Sequence, residues 1–166
     1  MQKNSKFKIQ KFKLKLKNNM ADQDTKKQDY IFTIGRRKSA TATVRLYKKD
    51  VVFEGVTVHK GEIVVNNKPA SSYFGKDKEL VCLEPLEITN TRDKFAISIK
   101  VSGGGKEGQL ESAILGIARA LDKSDREKFH TILKKKGLLT RDDRVRERRK
   151  VGMGGKSRRR KQSPKR

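Results

Sequence analysis

Three glycines in the second half of the chain have the spacing of a nucleotide-binding loop. Gly103, Gly105 and Gly108 satisfy the pattern G-x-G-x-x-G, which places backbone N–H groups at a helix start against a pyrophosphate. In a Walker-type loop the lysine precedes Ser or Thr, whereas Lys106 precedes Glu107, whose charge would repel a phosphate. The residues favour a tight strand-to-helix turn in which glycines permit positive φ and close backbone approach. Contact between this loop and an RNA backbone, aided by Lys106, stays an alternative.

Residues that could serve catalysis or bind a metal are otherwise few. His59 and His130 are the only histidines, and the single cysteine, Cys82, has apolar neighbours that predict a buried small side chain. The acidic pair Asp142-Asp143 stands in a basic segment, where local ion pairs with neighbouring arginines are favoured over a Mg²⁺ site. No nucleophile has a base near it in the sequence. We therefore predict a protein that is not an enzyme and binds no cofactor or metal.

Clusters of basic residues carry the more specific signal. Arg36, Arg37 and Lys38 come directly before a strand, where we expect a turn to present all three to one phosphate cluster. Two further clusters are "RDDRVRERRK" (141–150) and "KSRRRKQSPKR" (156–166). The second contains no acid and no aromatic residue, so it cannot stack on bases but can thread between phosphates. These segments predict contact with a nucleic-acid backbone.

The overall charge agrees with that interpretation. The chain of 166 residues has a net charge of +24. Residues 1–19 contain seven lysines and no acid, and residues 141–166 contain thirteen basic residues against three acids. Two basic arms on a less basic body are typical of a protein that binds a polyanion. No apolar run approaches the ~18–20 residues of a membrane span, and the C-terminal arm has too few apolar residues to bind a membrane surface.

A strand-rich region precedes the glycines. "SATATVRLY" and "FAISIKV" alternate apolar and other residues with a period of two, which predicts half-buried strands, the second leading into the glycine loop. "VVFEGVTVH" predicts a strand or hairpin bent at Gly55, and "IVV" a strand that ends in a turn at Asn66-Asn67. We expect a short helix between Pro69 and Phe74. "KDKELVCLEPLEI" is ambiguous between helix and strand, with Pro85 expected to break either.

Helices are predicted after the glycines. Six residues recur on one helical face: Leu110, Ala113, Ile114, Ile117, Ala118 and Leu121. A capping box formed by Ser124 and Glu127 predicts the start of a second helix, and Gly137 its end. The buried face of that helix is expected to comprise Phe129, Ile132 and Leu133. From Arg141 onward there is little to bury, so we expect an extended tail.

These elements together predict the architecture. The fold class is α+β, with a small β-sheet packed by two C-terminal-half helices in one compact domain and with extended basic N- and C-terminal tails. We expect a disordered, Lys-rich N-terminal extension (1–29), an α/β body that binds RNA (30–140) and an extended C-terminal tail rich in Arg and Lys (141–166). We predict that the protein does not form a homo-oligomer.

Five segments in the same order resemble one known family. "GRRKSATATVRL", "VVNNKPASSYF", "VSGGGKEGQLESAILGIARAL", "GLLTRDDRVRERRKVG" and the final "KR" are similar to the ribosomal protein S-nine family of bacteria and organelles. The resemblance implies a compact α/β body bound to the rRNA of the small-subunit head. It also implies a tail whose end reaches the anticodon arm of tRNA in the peptidyl site.

Together with the basic clusters, the resemblance implies site residues and partners. The implied rRNA-binding residues are Arg36, Arg37, Lys38, Lys106, Arg141, Arg144, Arg146, Arg148, Arg149, Lys150, Lys156, Arg158, Arg159 and Arg160, and the tRNA-binding residues are Lys165 and Arg166. The implied partners are small-subunit rRNA, peptidyl-site tRNA and neighbouring ribosomal proteins of the head. The implied location is the cytoplasmic ribosome, with an organellar ribosome left open. The alternative function is that of a free-standing basic nucleic-acid chaperone or nucleoid-type protein.

The chain departs from the family pattern at its end and in two other segments. The family's ending resembles P-Q-F-S-K-R, whereas residues 161–166 read KQSPKR, which lacks the aromatic residue but keeps the terminal basic pair. The segment "EGVTVHKG" and residues 1–29 have no clear counterpart in the family. The register of the tail on tRNA is therefore less defined than its destination.

Overall fold

A computed structural model describes residues 30–149 and 151, with seven strands and four α-helices among them. The strands are β1 (Tyr30–Arg37), β2 (Ala40–Tyr47), β3 (Val51–Phe53), β4 (Val56–Val58), β5 (Ile63–Val65), β6 (Lys68–Pro69) and β7 (Ala96–Ser102). The helices are α1 (Ala70–Phe74), α2 (Lys76–Ile88), α3 (Lys106–Ser124) and α4 (Arg126–Lys135), with a 3₁₀ turn at Arg92–Lys94. The α+β fold class is confirmed.

Five strands form one mixed sheet in the order β1-β2-β7-β5-β6. The central strand β7 pairs antiparallel with β2, from Thr41 opposite Ser102 to Tyr47 opposite Ala96, and parallel with β5. Helices α1 and α2 lie between β5 and β7 in the chain, which gives the parallel pair the crossover it requires. Strands β3 and β4 form a separate antiparallel hairpin with Gly55 at its bend, as the sequence predicted.

The two faces of the sheet are covered differently. Along β2 the side chains of Ala40, Ala42, Val44 and Leu46 are buried, which confirms the predicted alternation. The face that carries Val44 packs against α3, and the core continues into α2 and α4. On the opposite face Arg45 places its guanidinium 4.6 Å from the centre of the Phe53 ring, so the β3–β4 hairpin covers that side.

Strand β1 approaches α3 closely enough to require glycine. A Cβ on Gly35 would stand 1.9 Å from the Ser112 carbonyl oxygen and 2.7 Å from the Gly116 nitrogen. The Thr33 hydroxyl donates to the Gly116 carbonyl at 2.8 Å, and Arg119 donates to the Ile34 carbonyl at 2.9 Å. These contacts hold the edge strand, and with it the basic residues at its end, against the helix.

Three expectations about the helices need correction. Helix α2 continues through Pro85, which is buried along with Cys82, Leu83 and Leu86, so burial of this face overrides the lost backbone hydrogen bond. The cap of α4 is Asp125, whose carboxylate accepts from the Lys128 N–H at 3.4 Å. Ser124, the expected cap, is the last residue of α3.

The buried face of α4 is also narrower than expected. Leu133 is buried and Phe129 packs against the core in part, but Ile132 is 42% exposed. Gly137, with φ of 74°, follows the helix as predicted. Leu138 and Leu139 pack against the core, and residues 141–149 have no regular secondary structure.

Candidate nucleic-acid interface

The first basic cluster lies on a strand, which corrects the expectation that a turn presents all three of its residues together. Arg36 and Arg37 end β1, and only Lys38, with φ of 51°, is in the turn to β2. Successive side chains of a strand project to opposite sides, so the two arginines make different side-chain contacts, although both line one cavity. The Arg36 side chain is exposed and makes no hydrogen bond or ion pair to another described residue, whereas the Arg37 side chain is only 11% exposed.

Arg37 is surrounded by acceptors from two distant parts of the chain. Its Nε pairs with a carboxylate oxygen of Glu111 on α3, and its Nη1 lies 2.6 Å from Oδ1 of Asp142. The same Nη1 donates to the Asp142 carbonyl at 3.3 Å and to the Arg144 carbonyl at 3.4 Å. A guanidinium with its donors directed at carboxylates and main-chain carbonyls holds these segments together.

The Asp142 carboxylate also organises the start of the tail. It accepts from the backbone N–H of Arg144 at 3.0 Å and from the Arg144 guanidinium, with Nη2 to Oδ2 at 2.6 Å. The side-chain hydrogen bond from Arg144, its backbone hydrogen bond and the charge of Arg37 hold the pKa of Asp142 well below its usual range. Local pairing with Arg144 was predicted from the sequence. The long-range partner Arg37 was not.

The glycine loop packs on the same end of the sheet. Gly103 and Gly104 have φ of 73° and 61°, and a Cβ on Gly103 would stand 2.4 Å from the Ser39 carbonyl oxygen in the β1–β2 turn. Gly105, by contrast, has φ of −104° and open space where its Cβ would be. Two glycines are therefore required by the turn and its contact with the neighbouring backbone, which agrees with the predicted strand-to-helix turn.

The two charged residues of the first turn of α3, Lys106 and Glu107, differ in their contacts. Lys106 is exposed and has no side-chain partner among the described residues. Glu107 pairs with Lys78 of α2, so its carboxylate is turned toward another part of the protein surface. Exposed cations at this end of the body include Arg36 from β1, Lys38 from the β1–β2 turn and Lys106 at the start of α3.

Most of the remaining implied rRNA-binding residues lie in the tail. Exposed residues there are Arg141, Arg144, Arg146 and Arg148, while Arg149 is half-buried. The other implied rRNA-binding residues and both tRNA-binding residues lie outside the described residues: Lys150, Lys156, Arg158, Arg159, Arg160, Lys165 and Arg166. The pairing of Asp142 with Arg37 brings the base of the tail to the end of the sheet that carries the β1–β2 turn and the glycine loop.

Helix α2 carries an acidic surface. Its sequence contains two lysines against four acids, which makes it the only one of the four described helices with a net negative charge. Asp77, Leu80, Val81 and Glu84 are exposed and share one helical face. Glu84 lines a cavity together with Arg36 and Arg37, so this acidic face adjoins the end of the body that carries the basic residues.

Neither a metal cluster nor a membrane-spanning helix is found in the described part of the chain. No group of three or more His, Cys, Asp or Glu residues there could hold a metal, and no helix is long and apolar enough to cross a bilayer. His130 faces Asp122 at 2.8 Å. Cys82 is buried, as predicted, and desolvation raises the pKa of its thiol to about 12.

Two residues of the site were not identified from the sequence. Glu111 is separated from Arg37 by 74 positions, and Asp142 was assigned only local partners although its Arg37 contact spans 105 positions. Glu111 follows Glu107 by one helical turn and gave no signal of its own. For Asp142 the available signal was an acidic residue in a segment whose other charges are mainly basic.

Known proteins resemble this chain over most of its length. The profile of the family described as "Ribosomal protein S9/S16" matches residues 35–166, beginning at the glycine that seats β1 on α3. A relative named "Small ribosomal subunit protein uS9" from Dehalococcoides mccartyi is 44% identical over 128 residues, covering 76% of this chain and 89% of the relative. Proteins of the same name from Maridesulfovibrio salexigens and Rickettsia conorii are 43% and 44% identical over 129 and 122 residues. They cover 77% and 73% of this chain and 91% and 70% of their own lengths. The chain belongs to the ribosomal protein S9/S16 family.

Proposed function

We propose that this protein is a structural, non-catalytic constituent of the small ribosomal subunit that binds rRNA through the basic end of its body and through its C-terminal tail. The family membership supports the ribosomal role. The observation that carries the rRNA contact is the convergence of three basic segments on one end of the sheet. The β1–β2 turn touches the glycine loop, and the base of the tail is tied to the last residue of β1.

The chemistry of the exposed groups suits a phosphate backbone. Arg36, Lys38 and Lys106 are exposed and carry no competing carboxylate partner among the described residues. Each can therefore meet a phosphate without first breaking an ion pair, which keeps the cost of binding low. Phosphate contacts position a protein on RNA and do not read its sequence, so the shape of the rRNA supplies the specificity.

The tail extends this contact. Its described part has exposed arginines and no regular structure, and residues 156–166 contain seven further basic residues and no acid. We propose that this segment follows rRNA and that Lys165 and Arg166 reach the anticodon arm of tRNA in the peptidyl site. Neighbouring proteins of the head are the other partners that this function requires.

The rRNA contact is tested by salt-dependent binding with a matched control. Replacing Arg36, Lys38 and Lys106 together by Gln should lower the slope of log affinity against log salt by about 2 to 3, at ~0.7–0.9 for each phosphate that is no longer neutralised. The control replaces Lys48, Lys49 and Lys94 by Gln, three exposed lysines near the other end of β2, about 23 Å away along the strand.

The control removes the same amount of charge and should leave the slope unchanged. Equal reductions in both triple variants would indicate attraction by net charge alone, as expected of a free-standing nucleic-acid chaperone. Co-sedimentation of the wild-type protein with small subunits after a high-salt wash separates the two functions independently, because a loosely bound polycation is removed by the wash.

A further inference from the structure

Arg37 stands among the rRNA-binding candidates, yet its contacts lie within the protein. We propose that Glu111, Arg37 and Asp142 form a tail clasp that fixes the direction in which the C-terminal tail leaves the body, and that Arg37 is a positioning residue for the tail, not a phosphate ligand. This rests on the proposed function, in which the tail binds rRNA. It assigns separate roles to two consecutive arginines of one strand.

The tail clasp joins three parts of the chain through one guanidinium. Glu111 on α3 holds Nε of Arg37, while Nη1 lies 2.6 Å from the Asp142 carboxylate. Nη1 also donates to the carbonyls of Asp142 and Arg144, at 3.3 and 3.4 Å. Side-chain contacts alone would tolerate rotation about χ angles. Bonds to two main-chain carbonyls instead fix the path of the backbone.

Little else holds the described part of the tail. Residues 141–149 have no regular secondary structure, and the hydrogen bonds and ion pairs that these residues make to the described body all involve Arg37. The Arg144–Asp142 contacts are internal to the tail. Opening the tail clasp would therefore free the chain from the point where Leu138 and Leu139 leave the core.

Electrostatics argue against a phosphate at Arg37. The donors of Arg37 are already directed at two carboxylates and two main-chain carbonyls, and its side chain is only 11% exposed. Because Arg144 also pairs with Asp142, the charges of the cluster sum to zero, and a phosphate would have to displace a carboxylate to reach Arg37. Arg36, the preceding residue, is exposed and has no such partners among the described residues. The tail clasp serves binding indirectly, because a tail held in one direction loses less conformational freedom when it meets RNA.

Salt-dependent rRNA binding separates a positioning residue from a phosphate ligand. Arg37→Gln should lower affinity by about 2- to 12-fold at every salt concentration, from the ordering cost of a freed tail, and leave the slope unchanged. Arg36→Gln, the matched control one residue away, should lower the slope by about 0.7–0.9. Glu111→Gln and Asp142→Asn open the tail clasp without touching a basic residue and should resemble Arg37→Gln.

The position of the tail is measured directly by spin labels. Cys82 is buried and its thiol pKa is raised to about 12, so labels react selectively with cysteines introduced at the exposed positions Thr131 on α4 and Val145 in the tail. Pulsed electron paramagnetic resonance on the full-length protein should give a narrow distribution of the distance between the labels at positions 131 and 145, both in the wild-type background and with Arg36→Gln. Arg37→Gln, Glu111→Gln and Asp142→Asn should each broaden it.

The binding and distance measurements can contradict the tail clasp and the proposed function separately. A reduced slope for Arg37→Gln with a narrow distance distribution would identify Arg37 as a phosphate ligand and overturn the tail clasp. An unchanged distribution in both Glu111→Gln and Asp142→Asn would overturn it as well, without depending on the folding of the Arg37 variant. A wild-type protein without salt-dependent rRNA binding would instead contradict the proposed function, while the distance measurement would still report on the tail clasp.

Discussion

Arg36 and Arg37 are adjacent, identical in type and placed at the end of one strand, yet their side-chain contacts and exposure differ. Arg36 faces solvent, whereas Arg37 is enclosed by Glu111, Asp142 and two carbonyls of the tail. Strand alternation directs their side chains differently, and the carboxylates of Glu111 and Asp142 form ion pairs with Arg37 alone. On the roles proposed above, one cluster of basic residues combines a group that binds a polyanion with a group that orients the tail.

The largest expected effect comes from removing the support shared by both arginines. Gly35→Ala places a Cβ 1.9 Å from the Ser112 carbonyl oxygen and 2.7 Å from the Gly116 nitrogen. Both are backbone atoms of α3, so a side-chain rotation cannot relieve the clash. We expect the free energy of unfolding to fall by about 3 kcal/mol or more, since β1 must move away from α3. Denaturant unfolding measures it, and both phosphate binding and the tail clasp should weaken together.

Gly105→Ala is the control for this variant. Gly105 has negative φ and nothing within 4 Å of its Cβ position. The decrease should stay below about 1 kcal/mol, the cost of replacing glycine by alanine at a helix N-cap. A Gly35→Ala protein as stable as Gly105→Ala would mean that β1 is not seated on α3 as described, and the contrast between the two arginines would lose its structural basis.

Deleting Pro164–Arg166 tests whether the charges at the end of the tail bind tRNA, whereas the tail clasp only orients the tail. tRNA affinity of the peptidyl site should fall by about 1–3 kcal/mol, nearer the lower value because the terminal carboxylate partly cancels the charge of Arg166. Filter binding of several deacylated tRNAs to purified small subunits measures this. Subunit assembly should be nearly intact, because Arg36, Lys38 and the tail clasp are untouched.

The decrease should be similar for every tRNA, since phosphate contacts do not read sequence. A decrease with one tRNA alone, or with none, would contradict a phosphate contact at the tail end. The deleted residues lie outside the described part of the chain, so this expectation rests on the basic pair and on the family resemblance.

Acid should open the tail clasp before it unfolds the body. The pKa of Asp142 is lowered in the folded protein by its hydrogen bonds with Arg144 and by the charge of Arg37, so its contribution is fully present above its unfolded value of about 4. That contribution is lost as the pH falls below about 4 toward the lowered folded-state value. The distance distribution between labels at positions 131 and 145 should stay narrow from pH 7 to about 5 and broaden below 4.

Circular dichroism over the same range reports whether the body stays folded. The Asp142→Asn protein is the matched control and should give a broad distribution at every pH. Broadening in the wild-type protein with a midpoint near pH 6 would assign the transition to a group other than a carboxylate with a lowered pKa, and would leave Asp142 without the role given to it.

Strands and helices with a regular apolar periodicity were predicted from the sequence, whereas features that depend on contacts between distant residues were not. The alternation of Val44 and Leu46 predicted β2, and the spacing of Ile117 and Leu121 predicted α3, because each period is a property of a single element. The path of α2 through Pro85 depends on a buried face that local rules do not include.

The same distinction applies to the residues of the candidate interface. Basic residues were recognised as RNA-binding candidates by their type and clustering, whatever their neighbours in the fold. The role of Arg37 depends on partners 74 and 105 positions away, and no periodicity connects such positions. A further source of error was strand β1, which was not predicted from the sequence. In its absence Arg36 and Arg37 were assigned to a turn, which would have presented their side chains together.

The smallest expected effect concerns the glycine loop, which lies beside the exposed cations and could be mistaken for a nucleotide site. Gly103 and Gly104 are required by positive φ and by contact with Ser39 and Ala40, so this backbone is already occupied by the β1–β2 turn. Calorimetry with ATP, GTP and NAD should detect only weak association that salt abolishes, because Lys38 and Lys106 attract any polyanion through screened charges.

Gly105→Val completes that test because its Cβ position has no neighbour within 4 Å and its φ of −104° suits any residue. The variant should fold and should bind nucleotides as weakly as the wild-type protein does. Lys106→Gln should lower even this weak association, since it removes the charge and leaves the loop intact. A saturable site that resists salt in the wild-type protein and disappears in Gly105→Val would show that the loop holds a phosphate through its backbone. The exposed cations would then serve a small ligand as well as RNA, and the division between binding and positioning residues would have to be redrawn around the loop.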